Sequence, residues 1–133
     1  MKRSMNSDAW PYEYFSRAEM ACSSTNECFM VPAFMFRLAR LREAVDAPLT
    51  VSSGYRSPLH PREASKVTTS GAHTLGLAVD IAVSGELAVR VLREACAMGF
   101  AGIGISQRGT GRFIHLDDAP PGTGRPRPHL WSY

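Results

Sequence analysis

Two stretches of the chain carry side chains able to hold a metal ion between them. The first is Ser70-Gly71-Ala72-His73-Thr74-Leu75-Gly76-Leu77-Ala78-Val79-Asp80-Ile81, which joins a histidine to a carboxylate. The second is Phe113-Ile114-His115-Leu116-Asp117, a histidine with a carboxylate two residues on. His73 and Asp80 lie seven positions apart, a rise of roughly 10 Å if the chain were one helix. Ligands of a shared zinc each sit about 2 Å from it, so a continuous helix keeps the two apart. On one strand the odd spacing sends them to opposite faces. The pair can share an ion only if the chain turns between them, and Gly76 permits that turn.

From Leu77 the pattern is that of a strand. Leu77, Val79, Ile81 and Val83 alternate with Ala78, Asp80 and Ala82, which turns the apolar set to a core and leaves Asp80 on the other face between two small residues. Residues 113–117 read the same way, with Ile114 and Leu116 inward and His115 and Asp117 on the opposite side. Two histidines and one carboxylate, with a fourth position left for water, make a catalytic rather than a structural zinc arrangement. His73, Asp80 and His115 are therefore the expected ligands of one Zn2+ per chain.

Other elements must carry these strands. Ser16-Arg17-Ala18-Glu19 is a capping box with Phe15 as its staple, so a short helix starts at Ser16 and fades by Cys22. Pro32 suits the first turn of a longer helix. In that helix Phe34, Leu38, Leu41 and Val45 form one apolar stripe, and Arg37, Arg40 and Glu43 a solvated face. Residues 46–48 close it, and a strand over 49–52 points Leu49 and Val51 inward. A second helix runs from Glu86 to about Met98 with Gly99 as its stop, and Cys96 is expected in its core. Residues 101–106 form a strand with Ile103 and Ile105 inward. Its other face, Gly102, Gly104 and Ser106, is bare enough for a substrate peptide to lie close. The tail from Asp118 to Tyr133 has four prolines and two glycines before Trp131, a composition that by itself reads as disordered.

Several of these segments, taken in order, resemble the zinc D-Ala-D-Ala carboxypeptidase family. They are Ser53-Gly54-Tyr55-Arg56-Ser57-Pro58, the pattern His73-x-x-Gly76-x-Ala78-x-Asp80, Gly102-Ile103-Gly104-Ile105, residues 113–117 and Trp131-Ser132-Tyr133. That family includes phage peptidoglycan endopeptidases and is related to the zinc fold of hedgehog signalling domains. The resemblance spans roughly residues 12–133. It implies zinc-dependent hydrolysis of a peptide bond in the peptidoglycan stem, by a D-Ala-D-Ala carboxypeptidase or a cell-wall endopeptidase, with Arg56 reaching the substrate and a tail that folds back to set Trp131, as a substrate contact, and Tyr133 near the site. A guanidinium suits such a role because it grips a carboxylate in a two-pronged fork. Members of the family carry an acidic residue three positions before the last histidine, where this chain has Arg112. Asp117, on the same strand face as His115, is then the expected catalytic base; its other possible role is to orient His115. His60, Glu63 and His129 stand in reserve. Many relatives place a serine where Gly71 stands, and Ser70 is expected to make that substrate contact by a shift of one residue.

The expected architecture is α+β: a small, mostly antiparallel sheet with helices packed on one face and the zinc cleft on the other. Residues 1–11 form a flexible lead and 12–133 a single zinc peptidase domain. With 133 residues, 44% hydrophobic and 20% charged, the chain can bury a real core. No apolar run approaches the roughly 20 residues of a membrane span, so no membrane insertion is expected. A net charge of +3 and a pI of about 9.0 suit an anionic partner such as a cell-wall polymer or nucleic acid. No patterned basic helix or aromatic ladder supports nucleic acid. The expected partner is the peptidoglycan stem peptide, bound by a monomer. The first ten residues lack an apolar secretory core. The protein is then made in the cytoplasm and reaches the wall by phage-type release, or through a leader not contained in this sequence. Three cysteines, an odd count, argue against a disulfide framework. The alternative function is a catalytically inactive zinc module that binds cell wall or protein, which Arg112 favours.

Overall fold

The structure, a computed structural model, describes residues 10–61 and 71–133. Most of the expected N-terminal lead, residues 1–9, lies outside the described residues, as do Glu63 and Ser70. Trp10 is tied down by an Nε1–H bond of 2.6 Å to the Phe15 carbonyl.

The capping box forms as read. Ser16 Oγ accepts the Glu19 N–H at 3.2 Å and the Glu19 carboxylate accepts the Ser16 N–H at 2.7 Å, starting α1 (Arg17–Met20). Pro32 opens α2 (Pro32–Val45), which buries Phe34, Met35, Leu38, Leu41 and Val45 and stops at Asp46 in the left-handed region. Then follow β1 (Thr50–Ser53), β2 (Ala78–Ala82), α3 (Gly85–Met98), β3 (Gly102–Ser106), β4 (Phe113–Asp117) and β5 (His129–Ser132). The strands make one sheet in the order β1-β2-β4-β3-β5, antiparallel at every step except β3 with β5.

Alternation sorts the two sheet faces. Val79, Ile81, Ile114 and Leu116, each 1% exposed or less, enter the core that α2 and α3 also fill. The opposite face carries Asp80, His115 and Asp117. This is the α+β architecture expected from the sequence, a mostly antiparallel sheet with helices.

Three expectations about individual side chains change. Arg37 is not on a solvated face: its Nε and Nη2 donate to Asp118 at 2.7 and 3.2 Å, and Nη1 donates to the Met98 carbonyl at 3.2 Å. The pair ties α2 to the ends of α3 and β4. Cys96 is exposed rather than core. Ala88, Val91 and Ala95 set the buried stripe of α3, and the next residue steps about 100° around the axis, away from it. The glycine face of β3 is filled by the protein itself. A Cβ at Gly102 would collide with the Asp117 carboxylate, and one at Gly104 with the Trp131 indole.

The tail folds back as the resemblance implied. Residues 118–128 cross over to set β5 parallel to β3, pairing Gly102 with His129 and Gly104 with Trp131. Trp131 then lies against His115 with ring centroids 5.2 Å apart.

Candidate metal centre

Three side chains from separate segments converge above the middle of the sheet. Asp80 and His115 are direct cross-strand partners on β2 and β4, which puts their side chains on one face at neighbouring positions. His73 arrives from the turn before β2. That turn works because Gly76 adopts φ +74°, and a Cβ there would strike the Phe29 carbonyl. His73 Nε2 is 3.4 Å and His115 Nδ1 3.0 Å from Asp80 Oδ1, and one donor atom from each residue lies within 4.8 Å of the others.

The outward ring nitrogens are already engaged. His73 Nδ1–H donates to the Gly54 carbonyl at 2.8 Å, and His115 Nε2–H to Asp117 Oδ2 at 2.6 Å. In the neutral rings, each with its one proton outside, the two inner nitrogens present lone pairs toward a carboxylate oxygen; in the charged rings they donate to it. Three acceptors facing one point repel unless a proton or a metal cation lies among them. Donors about 2 Å from a tetrahedral zinc stand about 3.3 Å apart, and the observed separations of 3.0 and 3.4 Å bracket that value. The residues present fit a zinc ion.

Protonation follows the same contacts. Burial works to raise the Asp80 carboxyl, yet hydrogen bonds from His115 and His73 outweigh it and hold the group well below the usual carboxylate range. Asp117 is lowered likewise: burial opposes, while His115 and Arg127 prevail. For His115 burial favours the neutral ring, but its bonds to Asp117 and Asp80 raise its pKa. Without a cation the site therefore retains protons that metal binding must displace.

The remaining expected residues are distributed around this centre. Arg56 and His60 line a cavity of about 630 Å3 that opens beside Asp80, with Cys22, Ser52 and Phe113 among its other walls. The Arg56 N–H donates to the His73 carbonyl at 3.3 Å. Trp131 packs against His115 with ring centroids 5.2 Å apart, and Tyr133 packs on Phe113 with centroids 5.1 Å apart. Asp117 is fully buried and sits across the His115 ring from Asp80. Its oxygens also accept the Ala119 N–H at 3.1 Å and two bonds from Arg127 at 2.9 and 2.8 Å. Ser70 lies outside the described residues. Arg127 and Gly102 complete the surroundings of Asp117; in the sequence, the carboxylate two residues after His115 is the hint that such a partner is needed.

A family model described as peptidase M15 matches residues 13–117. Neither a comparison with curated proteins nor one with solved structures gave a match. The site and the matched segment together define a metallopeptidase. The chain belongs to the peptidase M15 family, of the zinc D-Ala-D-Ala carboxypeptidase type that acts on peptidoglycan peptides.

Proposed function

We propose that the protein is a zinc-dependent endopeptidase of the peptidoglycan stem peptide, with His73, Asp80 and His115 holding the ion. The observation that carries this is the convergence of three acceptors, one from each of these residues, beside a cavity of about 630 Å3. The cavity is open to solvent rather than closed around a chain end, which leaves room for a peptide that continues past the scissile bond, as an endopeptidase requires. Arg56 on the cavity wall supplies a fork for a backbone carbonyl or a side carboxylate of the chain lying there.

Bound at this centre, zinc supplies the Lewis acidity that acidifies water and polarises a scissile carbonyl. The protein's own groups hold the substrate and move the proton. Asp117 serves His115 rather than the substrate, because its oxygens are engaged on the far side of the imidazole. His60, which lines the cavity with Asp80 and Arg56, takes the proton and returns it to the leaving amine. Glu19 lines the cavity too, but its carboxylate caps α1. Trp131 packs against the His115 ring and holds that ligand from the tail side.

The test compares one stem peptide with a free C-terminus and the same peptide extended or amidated beyond the scissile bond. Cleavage of the extended form supports the endopeptidase; cleavage of the free form alone assigns a carboxypeptidase. A second reading, the inactive zinc module, is favoured by Arg112. It is exposed, its Nε donates to the Gly109 carbonyl at 2.9 Å, and no carboxylate occupies that position. Zinc held tightly with neither peptide cut decides for that module.

A further inference from the structure

We infer that Arg127, in the tail beyond the segment matched to the family, is a positioning residue for the metal centre. Its fork fixes the Asp117 carboxylate that in turn aims His115. The inference rests on His73, Asp80 and His115 being the metal site, and its test separates the two.

The contacts form one chain. Arg127 Nε donates to Asp117 Oδ1 at 2.9 Å and Nη2 to Oδ2 at 2.8 Å. A two-pronged grip of this kind fixes the plane of a carboxylate as well as its place, which a single bond does not. Asp117 Oδ2 is also the atom that receives the His115 Nε2–H at 2.6 Å. Fixing that oxygen therefore fixes the imidazole's rotation and keeps its proton on Nε2, leaving Nδ1 to face Asp80 at 3.0 Å.

Arg127 is itself held. Its side chain is 9% exposed, Nη1 donates to the Pro126 carbonyl at 2.6 Å, and its guanidinium carbon stands 5.2 Å from the centre of the Trp131 ring. That ring rests on His115 in turn. The pairing of β5 on β3, which begins two residues after Arg127 at His129, anchors the backbone of this arrangement. Gly102 makes room for the carboxylate, since a Cβ there would occupy its place. The buried Asp117 needs a countercharge in any case. What marks a positioning role is the geometry: both prongs of the fork and the histidine proton meet on one carboxylate.

Zinc affinity of the metal-free protein, read by competition with a chromophoric chelator, tests this without reference to turnover. The proteins are wild type, Arg127→Ala, Arg127→Lys, Asp117→Asn, the Asp117→Asn/Arg127→Ala double variant, His73→Ala and the charge control Arg93→Ala on α3. Partners that orient metal ligands typically contribute ten- to a hundred-fold in affinity, so Arg127→Ala weakens zinc about that much. Lysine keeps the charge but not the fork, and falls between. The double variant binds within about twofold of Asp117→Asn alone, because Arg127 acts through Asp117. Arg93→Ala binds as wild type. Wild-type affinity in Arg127→Ala overturns the inference, and so do losses that multiply in the double variant, which mark Arg127 as a tail anchor only. Should alanine at 127 unfold the chain, Arg127→Lys takes its place in the cycle with the same criterion. If His73→Ala binds zinc like wild type, the metal-site reading itself fails, a result distinct from either.

Discussion

Gly102→Ala touches no residue that meets substrate, yet it is expected to disable the protein. The methyl group would enter the space of the Asp117 carboxylate, a side chain with 0% exposure. The backbone of β3 cannot yield easily, since it is bonded to β4 on one side and β5 on the other. The carboxylate must move instead, and it then loses its bonds to Arg127 and to His115 Nε2. Breaking a buried ion pair of this kind costs about 3–5 kcal/mol. Against a typical total stability of about 5–15 kcal/mol, that is a large share. At roughly 3 °C per kcal/mol for a domain of this size, the melting temperature drops by about 10–15 °C. Thermal unfolding in chelator, followed by circular dichroism, reads this directly, and zinc titration of the folded fraction reads the loosened His115. Gly104→Ala provides the comparison, because there the group displaced is the part-exposed Trp131 indole and the loss is smaller. Wild-type melting temperature and zinc affinity in Gly102→Ala would mean that the Asp117 carboxylate does not depend on the space at Gly102.

His73→Ala and His115→Ala each remove one of three donors, and should lower zinc affinity by orders of magnitude in a dialysis assay; retention of stoichiometric zinc contradicts the assigned site. Asp80 and Asp117 are held below their ordinary value of 3.8, so their contribution to stability is complete above about pH 4 and is lost as pH falls further. His115 is raised above 6.5, so its contribution is present below that pH and fades as pH rises past its folded value. Melting curves in chelator from pH 2 to 9 should therefore peak between about 4 and 6.5, and stability that stays flat below pH 4 argues against these pairs. Burial opposes ionisation of the Cys22 thiol, but hydrogen bonds from Thr25, Ser57 and Ser24 lower it to about 6, while burial pushes Cys28 up to about 11. In a Cys96→Ser background, iodoacetamide at pH 7 should alkylate Cys22 well before Cys28, as peptide mapping would show; the reverse order contradicts the assignment.

The strands and helices that position the site were legible because each has a periodic apolar pattern and a physical stop. Pro32 opens α2, Ser16 caps α1 and Gly99 ends α3 in the left-handed region. The convergence of His73, Asp80 and His115 was legible for a related reason. Strand alternation and one glycine turn leave few ways to bring them to one face. Contacts that depend on sequence-distant partners were not legible. Nothing local marks Arg37 as the partner of Asp118, eighty-one residues away, or Arg127 as the partner of Asp117. The glycines of β3 announced an empty face, but spacing cannot say what fills it. Here that is Asp117 and Trp131, delivered by a tail whose composition alone suggests no fold. The part played by Asp117 turns on the same blind spot, since its strand position is compatible with facing water or facing His115.

The most direct test of the central claim is digestion of purified peptidoglycan by zinc-loaded protein, chelated protein and His73→Ala side by side, with the products read by mass spectrometry. Stem-peptide fragments with a new amino terminus inside the stem or its cross-bridge are expected with zinc and absent from both controls. Fragments that persist in chelator and in His73→Ala, or no fragment from protein shown to hold zinc, would contradict that claim.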